Sequence, residues 1–140
     1  MSQQSIGYLL WDVSRLIRKE FHNDERMACL TMAKARALSR IAMNQGIKQV
    51  ELAEKLEIKP MSLVRVIDAL VEEGLVERRP DPCDRRAHQL YLLPAADVEL
   101  DNLRQVSDDI WQEALEGIEA AEIEQMIKTL QKIHHNLLNN

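Results

Sequence analysis

The residues of this chain best equipped for chemistry are arginines, in two groups. Arg65 stands among small and polar outward neighbours, Met61, Ser62, Asp68, Ala69 and Glu72, with Pro60 just ahead of them. Arg78 and Arg79, then Arg85 and Arg86, form two adjacent pairs on either side of Asp84. A guanidinium is a planar fork that matches paired acceptors such as guanine O6 and N7, or the oxygens of a phosphate. Ser62 suits a phosphate contact and Met61 a thymine methyl. An acid such as Asp84 within a basic group makes sense as a brace that pairs with one of the arginines. The competing reading makes Arg65 a solvated side chain paired with Asp68 or Glu72. In it, Arg78, Arg79 and Arg85 are a charged edge that discourages strand aggregation.

Catalytic chemistry finds no comparable set. There is no glycine-rich phosphate loop and no Gly-x-Ser-x-Gly elbow. His22 and His88 are isolated, and His134 and His135 are adjacent, so they diverge on a helix and cannot share a metal. Glu51, Glu54 and Glu57 follow helical spacing and read as a solvated face. No enzyme activity, metal or cofactor is expected.

The elements that hold the arginines can be read from periodicity. Leu63, Val66, Ile67, Leu70 and Val71 recur at the spacing of a helix buried on one side, which turns Arg65 outward. Pro60 suits the first turn of that helix and Gly74 stops it. Upstream, Val50 to Leu56 is a shorter helical pattern with Leu52, Ala53 and Leu56 inward, and only three residues separate the two helices. Helices joined so tightly cross steeply, as in a helix-turn-helix, and the small Ala53 permits a close crossing. Downstream, 75–79 and 88–92 read as strands flanking a long loop with two prolines, a poor tight turn and a good projecting wing. Ile47 is expected to begin a short strand that pairs with it.

The two ends of the chain are helical. A first helix over 6 to about 25 carries Ile6, Leu9, Leu10, Val13, Leu16 and Ile17, with Trp11 and Arg15 on another flank. A second starts at Thr31, a good N-cap, and ends before Gly46. After the wing, Pro94 opens a long helix. A final one bears Ile123, Met126, Ile127, Leu130, Ile133, Leu137 and Leu138. These ends carry more apolar face than the central region can cover. A symmetric dimer would bury the surplus, with Ile6, Leu9, Leu10, Ile133, Leu137 and Leu138 as interface candidates; a monomeric helical bundle is the alternative.

The chain has 140 residues and a formal net charge of −5, which opposes nucleic-acid binding until its distribution is considered. Residues 94–140 hold 10 of the 23 acidic groups and only 3 of the 18 basic ones. The outward helix face and the wing can therefore form a local positive edge. No stretch approaches the roughly 20 apolar residues of a membrane span, and no signal sequence is evident, so a cytoplasmic protein is expected. Cys29 and Cys83 are expected to be free thiols. Cys83, near Arg85 and Arg86, is also a candidate redox sensor if the positive charge favours its thiolate.

The run Leu63-Val64-Arg65, with Asp68, Leu70, Gly74-Leu75-Val76, Arg78-Arg79-Pro80-Asp81-Pro82 and Asp84-Arg85-Arg86-Ala87, resembles the winged helix-turn-helix core of the MarR/SlyA family of bacterial transcription regulators. The resemblance extends more loosely over nearly the whole chain. It implies a mainly α fold with a small β wing: a winged helix-turn-helix DNA-binding domain at 31–93, and a helical dimerisation region formed by 1–30 and 94–140. The implied activity is regulation of transcription, most often repression, by a homodimer on a pseudo-palindromic stretch of double-stranded DNA. Two recognition helices related by a two-fold axis would enter major grooves one turn, roughly 10 base pairs, apart.

Under this resemblance the DNA-contact candidates are Pro60, Met61, Ser62, Arg65, Arg78, Asp84, Arg85 and Arg86, with Arg86 at the wing-tip position that enters the minor groove. The family also senses small aromatic or phenolic effectors in a crevice beside the dimerisation helices. By position Trp11, Arg15, Thr31 and Ala35 are the candidates here, against a reading in which Trp11 is core and Arg15 a surface charge. Two departures stand out. Lys34-Ala35 replaces a Gln-Trp common in relatives, and Leu93 replaces a threonine N-cap of the long helix, whose start is expected to fray. The family's peroxide sensors place their cysteine in the first helix, where this chain has none. A winged-helix module that binds proteins, its acidic C-terminal helices docked on a basic partner, is the competing functional class.

Overall fold

A computed structural model describes residues 5–139. Its elements, in order, are α1 (Ile6–Asn23), a 3-10 turn (Glu25–Met27), α2 (Met32–Met43), β1 (Ile47–Lys48), α3 (Gln49–Leu56), α4 (Pro60–Glu72), β2 (Val76–Pro80), β3 (His88–Leu92), α5 (Ala96–Ala114) and α6 (Ala120–Leu138). The fold is mainly helical with one small antiparallel sheet, ordered β1-β3-β2. The first four residues of the expected dimerisation region lie outside the described residues. The chain divides into two compact units, one through Ser107 and one from Asp108, so the boundary falls inside α5.

The first unit is built around α4. Leu63, Ile67 and Leu70 are fully buried and meet Leu38 and Ile41 of α2, Leu52 of α3, and Val76 and Leu90 of the sheet in one core. The helical stripe thus falls where its spacing places it, except that Val71 is exposed, in the last turn of the helix. Gly74, at φ +73°, donates its N–H to the Val71 carbonyl, and Leu75 donates to Leu70 at 2.9 Å. That pair of bonds closes the helix end and uses Leu75, which is why β2 starts at Val76 and not one residue earlier.

The α3–α4 turn is as short as its three residues suggest. Glu57 adopts a left-handed conformation, φ 53°, and Ile58 donates to the Ala53 carbonyl at 3.1 Å. Pro60 is then the first residue of α4, where its lack of an N–H costs nothing. Ala53 is buried at the crossing. Thr31 caps α2, its hydroxyl accepting the Lys34 N–H at 3.3 Å.

The sheet ties the ends of this unit together. Ile47 pairs with Leu90 and Lys48 with Gln89, while β2 and β3 pair from Val76–Leu92 to Pro80–His88. Gly46, at φ +87°, leads into β1 beneath Tyr91: a Cβ there would lie 2.9 Å from the phenol oxygen. Gly46→Ala should therefore destabilise the unit by about 1–3 kcal/mol, from the left-handed backbone and the displaced ring together. Thermal melts check this; an unchanged midpoint would mean that neither constraint matters.

Pro94 does not open α5. It lies in a turn, with Ala96 donating to Leu93 at 2.9 Å and Asp97 to Pro94 at 3.1 Å, and the helix begins at Ala96. Asp97 and Glu99 in the first turn favour the positive end of the helix dipole. In the second unit, α6 begins with a reciprocal cap in which Glu119 N–H donates to the Glu122 carboxylate at 3.1 Å. No residue of α6 or α1 is buried within the chain, and Ile6, Leu9, Leu10, Leu137 and Leu138 are all exposed, with Ile133 half-buried. An amphipathic helix is stabilised chiefly by covering its apolar face, and these two faces lack that cover in a single chain.

Candidate nucleic-acid interface

The outward face of α4 presents Pro60, Met61, Ser62, Arg65, Asp68 and Glu72 to solvent. Met61 is 73% exposed, which for a thioether side chain at a helix start is an uncovered apolar contact. The first turn contains no acidic residue and is preceded by Lys59, so the positive end of the helix dipole is unopposed and suits a phosphate. Arg65 has no ion-pair or hydrogen-bond partner among the described residues, so the pairing with Asp68 or Glu72 is not made. Asp68 instead binds Arg78, Oδ1 to Nη2 at 2.6 Å.

Arg78 is therefore not part of a free basic edge. Its Nε donates to Gln49 Oε1 at 3.0 Å and its Nη2 reaches the Val64 carbonyl at 3.5 Å, linking β2 to the start of α3 and the middle of α4. Arg79 pairs with Glu77, and its guanidinium lies over the Tyr91 ring, 3.8 Å from the centroid. Arg85 and Arg86 are exposed, and neither side chain has a partner among the described residues.

The expected brace is in the wrong place. Among the described residues Asp84 pairs with no arginine side chain; its carboxylate accepts the Arg86 backbone N–H at 2.9 Å, which shapes the wing tip without engaging the Arg86 guanidinium. Short acidic side chains prefer such local backbone bonds in turns. The bracing acid is Asp81, the one buried charged residue among those described. It accepts the Cys83 N–H at 2.8 Å, and the Lys48 ammonium lies 3.4 Å from its other oxygen. Lys48 and Gln49, neighbours in sequence, thus tether the wing root and Arg78 respectively. Neither was singled out by sequence, although the expected pairing of Ile47 with the wing carries Lys48 towards it.

The Cys83 backbone N–H holds the Asp81 carboxyl below the usual carboxylate range; burial opposes this and Lys48 assists it. A depressed carboxyl pKa contributes stability that is complete above the unfolded value, about 3.9, and is lost as pH falls through the folded one. Asp81→Asn should therefore flatten the acid limb of the stability curve below about pH 4. Denaturant titrations from neutral pH downward check this, and an acid limb identical to wild type would show that another carboxyl sets it.

A separate groove of about 670 Å³ opens in the first unit between α1, α2 and α5, with Phe21, Ala35, Arg36, Arg40, Leu103 and Arg104 in its wall. Of the four expected effector residues only Ala35 lines it. Thr31 serves as the α2 cap. Trp11 is 58% exposed, so it is not core, and Arg15 is bound to Asp12 at 2.7 Å with its guanidinium 5.9 Å from the indole centroid. Cys29 and Cys83 are free and exposed.

A MarR family model matches residues 30–88, the stretch from the α2 cap through the wing. Over 97% of this chain and 100% of the other, the chain is 30% identical to the crystal structure of the transcriptional regulator PA3341, with a TM-score of 0.82. The chain belongs to the MarR family. It is also similar to apo MarR from E. coli, 26% identical over 95% of this chain and 98% of that one, at a TM-score of 0.81. The SlyA structure, 22% identical at a TM-score of 0.81 over 96% of this chain and 94% of that one, matches in fold. As a MarR-family transcription regulator the protein is not an enzyme, and its family implies DNA binding and typically dimerisation. Among the described residues no helix is long and apolar enough to cross a membrane.

Proposed function

We propose that this MarR-family regulator is a cytoplasmic homodimeric repressor that binds a pseudo-palindromic operator. The observation that carries the reading is the Arg65 guanidinium, without a partner among the described residues, on the open face of α4 beside a helix start that carries no acid. Arg65 reads a guanine edge in the major groove, Met61 touches a thymine methyl, and Pro60 and Ser62 bring the helix start against a phosphate. Arg86, with Arg85 beside it, enters the flanking minor groove, the wing tip being shaped by Asp84. The two-fold axis of the dimer sets two such α4 faces one helical turn of DNA apart.

A small aromatic or phenolic effector releases the operator by preferring a dimer whose recognition helices have the wrong spacing, since only differential affinity shifts such an equilibrium. The α1–α2–α5 groove suits it better than the surroundings of Trp11: Phe21 and Leu103 offer apolar contact and Arg36, Arg40 and Arg104 an anion partner.

Fluorescence anisotropy against DNA from the upstream region of its own gene and a scrambled duplex, at two salt concentrations, tests the function. Selective binding that saturates at two chains per site and weakens steeply with salt is expected. Weak, equal binding to both duplexes would favour a protein-interaction module.

A further inference from the structure

Asp68 poses a problem that the reading of α4 does not solve. It lies on the same outward face as Arg65, three residues on and 58% exposed in its side chain. Residues three apart on a helix are neighbours, so an arginine followed by an aspartate at that spacing should pair. A carboxylate on the face turned to a polyanion also repels it. Yet Arg65 is unpartnered among the described residues and Asp68 is held by Arg78 from β2. The Arg78 side chain is only 23% exposed and is anchored from behind by Gln49 and the Val64 carbonyl, so its guanidinium is fixed and half-shielded from water.

We propose that Arg78 is a positioning residue for operator recognition: by holding and neutralising Asp68 it keeps the face of α4 free of net negative charge and leaves Arg65 available to the bases. It touches no DNA itself and acts through Asp68. The inference rests on the DNA-binding reading above. It distinguishes Arg78 from Arg85 and Arg86, whose side chains have no partner among the described residues and which act on DNA directly.

Three variants of the full-length chain, Arg78→Gln, Asp68→Asn and the double variant, decide it when titrated against operator and single-base variants at several salt concentrations. Arg78→Gln should weaken operator binding by about ten- to thirtyfold, because it leaves an uncompensated carboxylate in the interface. It should also relax discrimination at the base read by Arg65. Asp68→Asn should bind within about threefold of wild type, and the double variant should recover most of what Arg78→Gln loses, an interaction between neighbours that a mutant cycle measures. The salt slope should stay that of wild type throughout, whereas Arg86→Ala lowers it by about 1.

If Arg78 instead contacts a phosphate, its loss is the same in the Asp68→Asn background and the salt slope falls. If it only clamps the fold, Asp68→Asn weakens binding as much as Arg78→Gln and the thermal midpoints fall in parallel. Either result overturns the proposal while wild type still binds selectively. Non-selective binding by wild type would instead overturn the operator reading on which it stands.

Discussion

Replacing Leu137 with aspartate should leave the protein monomeric at concentrations where the wild type is a dimer, and should lower operator affinity by about 10²–10⁴-fold. Leu137 and its neighbour Leu138 are 70% and 71% exposed, on a helix with no residue buried by its own chain. Such a helix is held chiefly by whatever covers its apolar face. A carboxylate placed there has no partner in an apolar contact, and burying it unpaired is costly enough that the contact opens instead. The DNA effect is the larger because, in the proposed dimer, the second half-site would be bound by a chain already tethered to the first. Sedimentation together with operator titration checks both parts. A Leu137→Asp dimer that binds normally would remove this residue from the interface, and a monomer that binds normally would remove dimerisation from recognition.

Arg65→Ala should cost about 1–3 kcal/mol on the preferred operator, roughly 5- to 150-fold, and should make one base pair in each half-site interchangeable. On the proposed reading Arg65 makes a bidentate contact with no substitute nearby: Met61 and Ser62 cannot fill two acceptors at once, and Arg78 is already bound to Asp68. Titration against operators varied at each position reads the result directly. An equal loss on every sequence would make Arg65 a phosphate contact; no loss would mean that α4 does not read the groove.

Much of this site was legible in the sequence because it lies where periodicity is strong. The apolar stripe of α4 turned Arg65 outward, Pro60 and Gly74 marked the helix ends, and Thr31 marked the start of α2. The wing was less legible. Asp81 and Asp84 are both acids in a basic loop, and nothing in their spacing says that the first turns inward towards Lys48 while the second bonds its own backbone. Arg78 looked like one of four equivalent arginines, but a strand alternates its faces, and the partners that decide its role come from α3 and α4, far away in sequence. Trp11 and Arg15 share one flank of α1, as their spacing of four suggests, the guanidinium lying 5.9 Å from the indole centroid. What packs against that flank is not written in the spacing.

The left-handed Glu57 and the bond from Ile58 back to Ala53 have a consequence for the thermodynamics of recognition. They tie the start of α4 closely to the end of α3, so on the proposed reading its aim is set chiefly when the chain folds. If α4 is the helix that enters the groove, the entropy lost on docking then falls mainly on its long side chains and the wing tip. Sequence change in the 57–59 turn would accordingly alter the direction in which the helix points, and with it the choice of operator, before it altered how tightly any operator is held.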